Sequence, residues 1–186
     1  MKFMKLVIFL LGCAVAIPAY SQTSGISGTN ILNGDPVNLV FADTKATVIL
    51  FLSSVCPCSN SHVSELKSLH KEFDQFSFIG VHSNGNEGKE TTTAYFKTAA
   101  LPFPIIHDRD AKIADRFLAS KTPHAVVLLA DGTVAYRGGV SSSKNVEKAE
   151  TLHLREALTN LRNGERIQDP NVRTLGCAIS RGPDVW

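Results

Sequence analysis

The chain has 186 residues, 44% hydrophobic and 19% charged, with a formal net charge of +2. These proportions belong to a packed globular protein and exclude a disordered chain, a collagen-like repeat and a coiled coil. The length is about that of one domain and suffices for a sizeable core without disulfide staples.

The first feature in chain order is a targeting segment. Lys2 and Lys5 precede the apolar run 6–17, and Pro18, Ala19, Tyr20 and Ser21 supply a break and small residues. A basic start, an apolar middle and a small-residue cleavage site make a secretory signal peptide over 1–21. Leu10, Leu11, Gly12 and Cys13 also resemble a bacterial lipobox, whose cysteine would become a lipidated first residue. The stretch stays apolar past Cys13 to Ala19, which favours simple cleavage. The run is short for a membrane span, and no other stretch could cross a bilayer. Without Lys2 and Lys5 the 19 basic residues become 17, matching the 17 acidic ones. That balance offers no basic stripe to nucleic acid and no acidic tail. Export would place the chain in the periplasm or outside the cell, where disulfides form.

Residues 22–30 (QTSGISGTN) are expected to be a flexible leader, and 31–163 one folded domain. Asn33, Gly34, Asp35 and Pro36 predict a hairpin turn within 31–41. The apolar, partly β-branched run 47–52 predicts a strand buried on both faces. From 57 to 73, Val63, Leu66, Leu69 and Phe73 form a helical stripe, and Pro57 suits the first turn. A second strand is predicted at 76–82, a loop at 83–89 and a helix at 90–100 with Tyr95 and Phe96 inward. An extended piece at 103–108 precedes a helix at 111–119. After Thr122 and Pro123 a third strand covers 125–129. Asp131 and Gly132 then turn the chain into a strand at 134–137. A long helix is predicted at 146–161, stopped by Gly164. Residues 164–186 form an irregular tail carrying Cys177. Alternating strands and helices, closed by a hairpin and a helix, make an α/β sandwich with a mixed central sheet.

Three cysteines remain after cleavage: Cys56, Cys58 and Cys177. An odd number suggests a switching pair and a single thiol with its own job. Cys56 and Cys58 sit where a strand passes into a helix. The partial positive charge and free N–H groups there favour a thiolate, the nucleophile of disulfide exchange and the form that binds soft metals. Cys56 is the expected attacking sulfur, and Cys58 is placed to resolve its mixed disulfide. A bond between them would close a small ring and reduce easily, which points to an oxidising or isomerising couple. Cys177 is either an inert buried thiol or a resolving thiol, or third soft ligand, that folds back onto the site. Ser53 either donates to the Cys56 thiolate or merely finishes the strand. His62 and His70 are expected on the surface, with His62 near enough to tune Cys58.

The order of elements around Cys56-Pro57-Cys58 resembles the thioredoxin superfamily, and within it the exported redoxin or peroxiredoxin-like proteins of the AhpC/TSA type. The resemblance is carried by Ser53-Ser54-Val55-Cys56-Pro57, by 78–84 (FIGVHSN) and by 103–108 (FPIIHD). It continues in Thr122-Pro123-His124 through Asp131-Gly132 to Tyr136-Arg137-Gly138. It implies a thioredoxin-like α/β/α sandwich. Cys56 would attack, and Pro123, after Thr122, would be a cis-proline facing it. The implied activity is thiol–disulfide oxidoreduction on protein or small-molecule thiols and disulfides, without a cofactor, with His124 as a proton relay.

The departures define two alternatives. Peroxiredoxins place a proline where Ile49 stands and an arginine near His124 and Ala125; Ser53 does fit their hydroxyl position, so a thiol peroxidase is one alternative. Copper chaperones of the Sco type share the fold and imply a copper set of Cys56, Cys58 and His124, although their cysteines stand further apart.

Overall fold

The structure, a computed structural model, describes residues 25–186. The expected signal peptide and the Cys13 lipobox lie outside the described residues.

The first described element corrects the flexible leader. Gly25–Thr29 is strand β1, paired antiparallel with β2 (Pro36–Val40), so that Thr29 faces Pro36. The hairpin predicted within 31–41 therefore has its turn at 30–35, and its first strand lies upstream. The turn is closed by hydrogen bonds from Asn30 N–H to the Asp35 carbonyl and from Gly34 N–H to the Asn30 carbonyl, both 2.8 Å. Gly34 adopts φ +80°, which glycine takes without strain. The small polar residues of β1 hid it; only Ile26 marks the inward face, where it is buried.

Every residue of β3 (Ala46–Phe51) is buried, as its unbroken apolar run requires. Helices α1 (Pro57–Ser61) and α2 (Val63–Glu72) follow, then β4 (Ser77–His82), α3 (Lys89–Ala99) and β5 (Ile105–His107). Beyond them come α4 (Lys112–Arg116), β6 (Lys121–Thr122), β7 (His124–Leu129), β8 (Val134–Gly139), α5 (His153–Asn163) and β9 (Cys177–Ala178). The central sheet has five strands in the order β5-β4-β3-β7-β8. β3 pairs parallel with β4 and antiparallel with β7, so the sheet is mixed.

Alternation along β3 feeds two cores. Val48 and Leu50 point to one, with Leu66, Leu69 and Phe73 from α2 and its end, Phe96 from α3, and Leu154 and Leu158 from α5. Ile49 and Phe51 point to the other, with Ala114 of α4, Phe117 and the hairpin residues Ile26 and Phe41. Among the described residues no helix is long and apolar enough to cross a membrane.

Two helices differ from the pattern. The stripe at 57–73 is not one rod, because His62 interrupts it between α1 and α2. The predicted 146–161 helix begins only at His153: Val146–Lys148 makes one 3₁₀ turn, capped by Asn145, and Ala149 is extended.

Candidate active site

Cys56 ends the loop after β3 and is the N-cap of α1, with Pro57 in the first turn. The loop is held from below by a residue that the sequence left inside a polar loop. Glu87, 5% exposed, accepts hydrogen bonds from Ser53 Oγ at 2.6 Å, Ser54 N–H at 2.7 Å and Ser54 Oγ at 2.5 Å. Ser53 Oγ in turn accepts the Cys56 N–H at 3.1 Å. The Ser53 proton therefore goes to a carboxylate, not to the Cys56 sulfur, and the residue fixes the backbone on which Cys56 is mounted. His82, wholly buried, closes the floor, its Nδ1 3.3 Å from the Leu52 carbonyl and 3.9 Å from Glu87 Oε2. Burial holds the His82 pKa below the ordinary histidine value.

His62 is not on the surface. It is 1% exposed, with Nδ1 2.7 Å from the Cys58 carbonyl and Nε2 2.8 Å from Ser141 Oγ. It pins the Cys-Pro-Cys turn to the loop after β8. Burial lowers its pKa as well. His70, half-buried, packs against Phe78 and Phe103.

The peptide bond Thr122–Pro123 is cis. It stands across from Cys56, whose Sγ lies 3.4 Å from the Thr122 carbonyl. That oxygen is an acceptor for the reduced thiol; a disulfide sulfur has no proton to give.

Cys56 is bonded to Cys177, with the Cα atoms 6.0 Å apart. The pairing expected between Cys56 and Cys58 is not the one formed, and Cys58 is a free, buried thiol. The reason lies in the tail. β9 runs antiparallel to β6 and places Cys177 opposite Thr122, beside Cys56. All three sulfurs lie within 4.8 Å of one another.

Residues 25–137, well over half of the chain, match the AhpC/TSA family. The chain belongs to the AhpC/TSA family. No curated protein matches its sequence. Among solved structures it is similar to an uncharacterized conserved protein from Geobacillus kaustophilus, with 26% identity and a TM-score of 0.73 over 84% of this chain and 88% of that one. A hypothetical protein from Sinorhizobium meliloti superposes with a TM-score of 0.74 at 19% identity, over 89% and 95% of the two chains. A secreted disulfide oxidoreductase from Mycobacterium tuberculosis shares the fold, with a TM-score of 0.50 and 22% identity over 59% and 79%. The architecture is thioredoxin-like: a mixed five-stranded sheet flanked by helices.

In this AhpC/TSA protein the copper set implied by the Sco resemblance does not assemble. Among the described residues the metal-capable group at the site is Cys56, Cys58 and Cys177, without His124. Two of its sulfurs are spent in the disulfide. His124, 5% exposed, stacks at an angle on Phe51 and bonds Thr174 Oγ1 through Nδ1 at 2.7 Å. Burial, and then the nearby charge of Arg137, push its pKa down to about 4. A ring that stays neutral at neutral pH and is tied to Thr174 is a packed strand residue, poorly suited to relay protons.

Sequence reasoning missed Glu87, which carried no signal, and placed His62 near enough to tune Cys58 but on the surface. Glu87 sits among Ser83, Asn84, Gly85, Asn86 and Gly88, which read as solvated loop.

Proposed function

We propose that this AhpC/TSA protein is an exported thiol–disulfide oxidoreductase in which Cys56 is the sulfur common to both oxidised states and Cys58 and Cys177 are the thiols that close on it. One observation carries the reading: a bonded pair and a free thiol, all within 4.8 Å, beside the cis-proline edge. Disulfide exchange needs only a thiolate aligned with a disulfide, so no cofactor is required. Cys58 as thiolate attacks Cys56 Sγ; the Cys56–Cys58 bond forms, the Cys56–Cys177 bond breaks, and the electron pair leaves on Cys177. The Cys-Pro-Cys disulfide is then a second oxidised state of the same three-sulfur set, while Cys56–Cys177 is the resting one. External thiols deliver two electrons to either state. Export is supported by the pattern of residues 2–21 and predicts a mature N-terminus at Gln22, read by N-terminal sequencing of the exported protein.

The test is turnover. The oxidised protein should couple oxidation of dithiothreitol to reduction of a small disulfide. Cys56→Ser should lose about a hundredfold or more of that rate, because both oxidised states contain Cys56. An unchanged rate in Cys56→Ser overturns the reading.

A further inference from the structure

β9 does more than deliver Cys177. It lies along the edge of β6, with Thr122 opposite Cys177 and Lys121 opposite Ala178, and Ile179 N–H donates to the Ser120 carbonyl at 3.0 Å. Gly176 sits so close to the Thr122 carbonyl that a Cβ there would overlap its oxygen. The backbone edge beside the sulfurs is already paired.

The tail is held on both sides of Cys177 by contacts that do not involve sulfur. Upstream, Thr174 bonds His124, and Val172 N–H donates to the Arg137 carbonyl at 3.1 Å. Downstream, Ser180 N–H donates to Asn84 Oδ1 at 2.9 Å, and Gly85 N–H donates to the Ser180 carbonyl at 3.1 Å. Ile179 is buried in the second core, and Arg181 pairs with Asp115 and donates to the Ala119 carbonyl at 2.8 Å. Cutting the S–S bond leaves all of these in place. An extended polypeptide that bound by adding a strand to this edge of β6 would find it taken by β9. Access to the sulfurs is unequal as well. Cys56 is 2% exposed and Cys58 8%, while Cys177 is only half-buried.

We propose that the substrates are small-molecule thiols and disulfides, not extended polypeptide segments, and that they exchange at Cys177. The inference rests on the oxidoreductase reading above and names its substrate class and its port. A small thiolate attacks Cys177 Sγ. The new S–S bond forms there, the Cys56–Cys177 bond breaks, and the electron pair leaves on Cys56 Sγ. Cys56 then takes a proton, with the Thr122 carbonyl 3.4 Å away as acceptor. A second thiolate attacks the substrate sulfur of the mixed disulfide, releasing the substrate disulfide and a Cys177 thiolate. Two small thiols are oxidised and one protein disulfide is reduced.

Two measurements on the full oxidised chain test this. In the first, substoichiometric glutathione is added, the mixture is acid-quenched, and the adduct is mapped by mass spectrometry. The expected adduct is on Cys177, in about tenfold or greater excess over Cys56 and Cys58. An adduct mainly on Cys56 or Cys58 overturns the port. In the second, dithiothreitol and reduced thioredoxin are compared as reductants at equal dithiol concentration. The small dithiol should be faster by about tenfold or more; equal or faster reduction by thioredoxin overturns the substrate class. Loss of all turnover with small thiols would remove the underlying oxidoreductase reading, whereas turnover through a Cys56 adduct would remove only this inference.

Discussion

Glu87 is a buried carboxylate that satisfies two hydroxyls and one backbone N–H of the 53–54 turn. Removing it leaves the Ser53 hydroxyl and the Ser54 N–H buried without that acceptor, while Ser54 Oγ keeps Thr92 Oγ1 at 3.2 Å. Glu87→Ala should lower stability by about 3 kcal/mol, read as a fall in the urea midpoint, and should slow exchange because the Cys56 mount loosens. His124 governs behaviour in acid. In the folded chain it stays neutral down to about pH 4, whereas the unfolded chain takes the proton near its ordinary value of 6.5. The unfolded state therefore binds more protons across that window, and stability falls as pH drops from 6.5 to about 4. The loss attributable to His124 is on the order of 3 kcal/mol. His62, His82 and His107 are shifted the same way by burial and add in the same direction. Urea unfolding at several pH values should show this acid limb, and His124→Asn should flatten part of it. Cys56, Cys58 and Ser53 could be picked out from their types and spacing, and Pro123 from the resemblance to the thioredoxin superfamily. Glu87 and the burial of His62 could not, because burial of a polar side chain is decided by what folds over it.

At the scale of elements, α2 is held by the sheet more than by its own turns. Leu69 is fully buried between α2 and the sheet. Leu69→Ala should cost about 3 kcal/mol in the urea midpoint through lost transfer energy and the cavity left behind. The β6–β9 contact is small and depends on one glycine. Gly176→Ala places a methyl against the Thr122 carbonyl. β9 must then shift, and Cys177 with it, so the Cys56–Cys177 bond should reduce more readily in a redox titration. The strands β3, β4 and β7 were legible because burial on both faces demands continuous apolar runs. β1 and β9 were not, since each is short, polar or small, and becomes a strand only because a partner edge is available. The break at His62 was hidden for a related reason: the apolar stripe continues across it, and the contact that holds the His62 ring to Ser141 comes from the tertiary fold.

For the whole molecule, the disulfide spans 121 residues of sequence. Closing so long a loop removes much of the freedom of the unfolded chain, stabilising by up to about 5 kcal/mol in the entropic account. Cys177→Ser should therefore unfold at lower urea than the oxidised wild type and match the reduced wild type; equal midpoints in all three would show that the bond adds nothing. The sequence by itself determined the α/β class, the mixed sheet, the order of its main elements and the placing of Cys56 and Cys58 at a helix start as candidate chemistry. Those follow from local periodicity, turn residues and motif spacing, which are properties of neighbours along the chain. Only the tertiary structure decided that Cys177 rather than Cys58 bonds Cys56, that His124 stands apart from the sulfurs, and that the tail fills the edge of β6. Contacts across more than a hundred residues depend on which backbone edges remain free once the core has packed, and no local pattern encodes that.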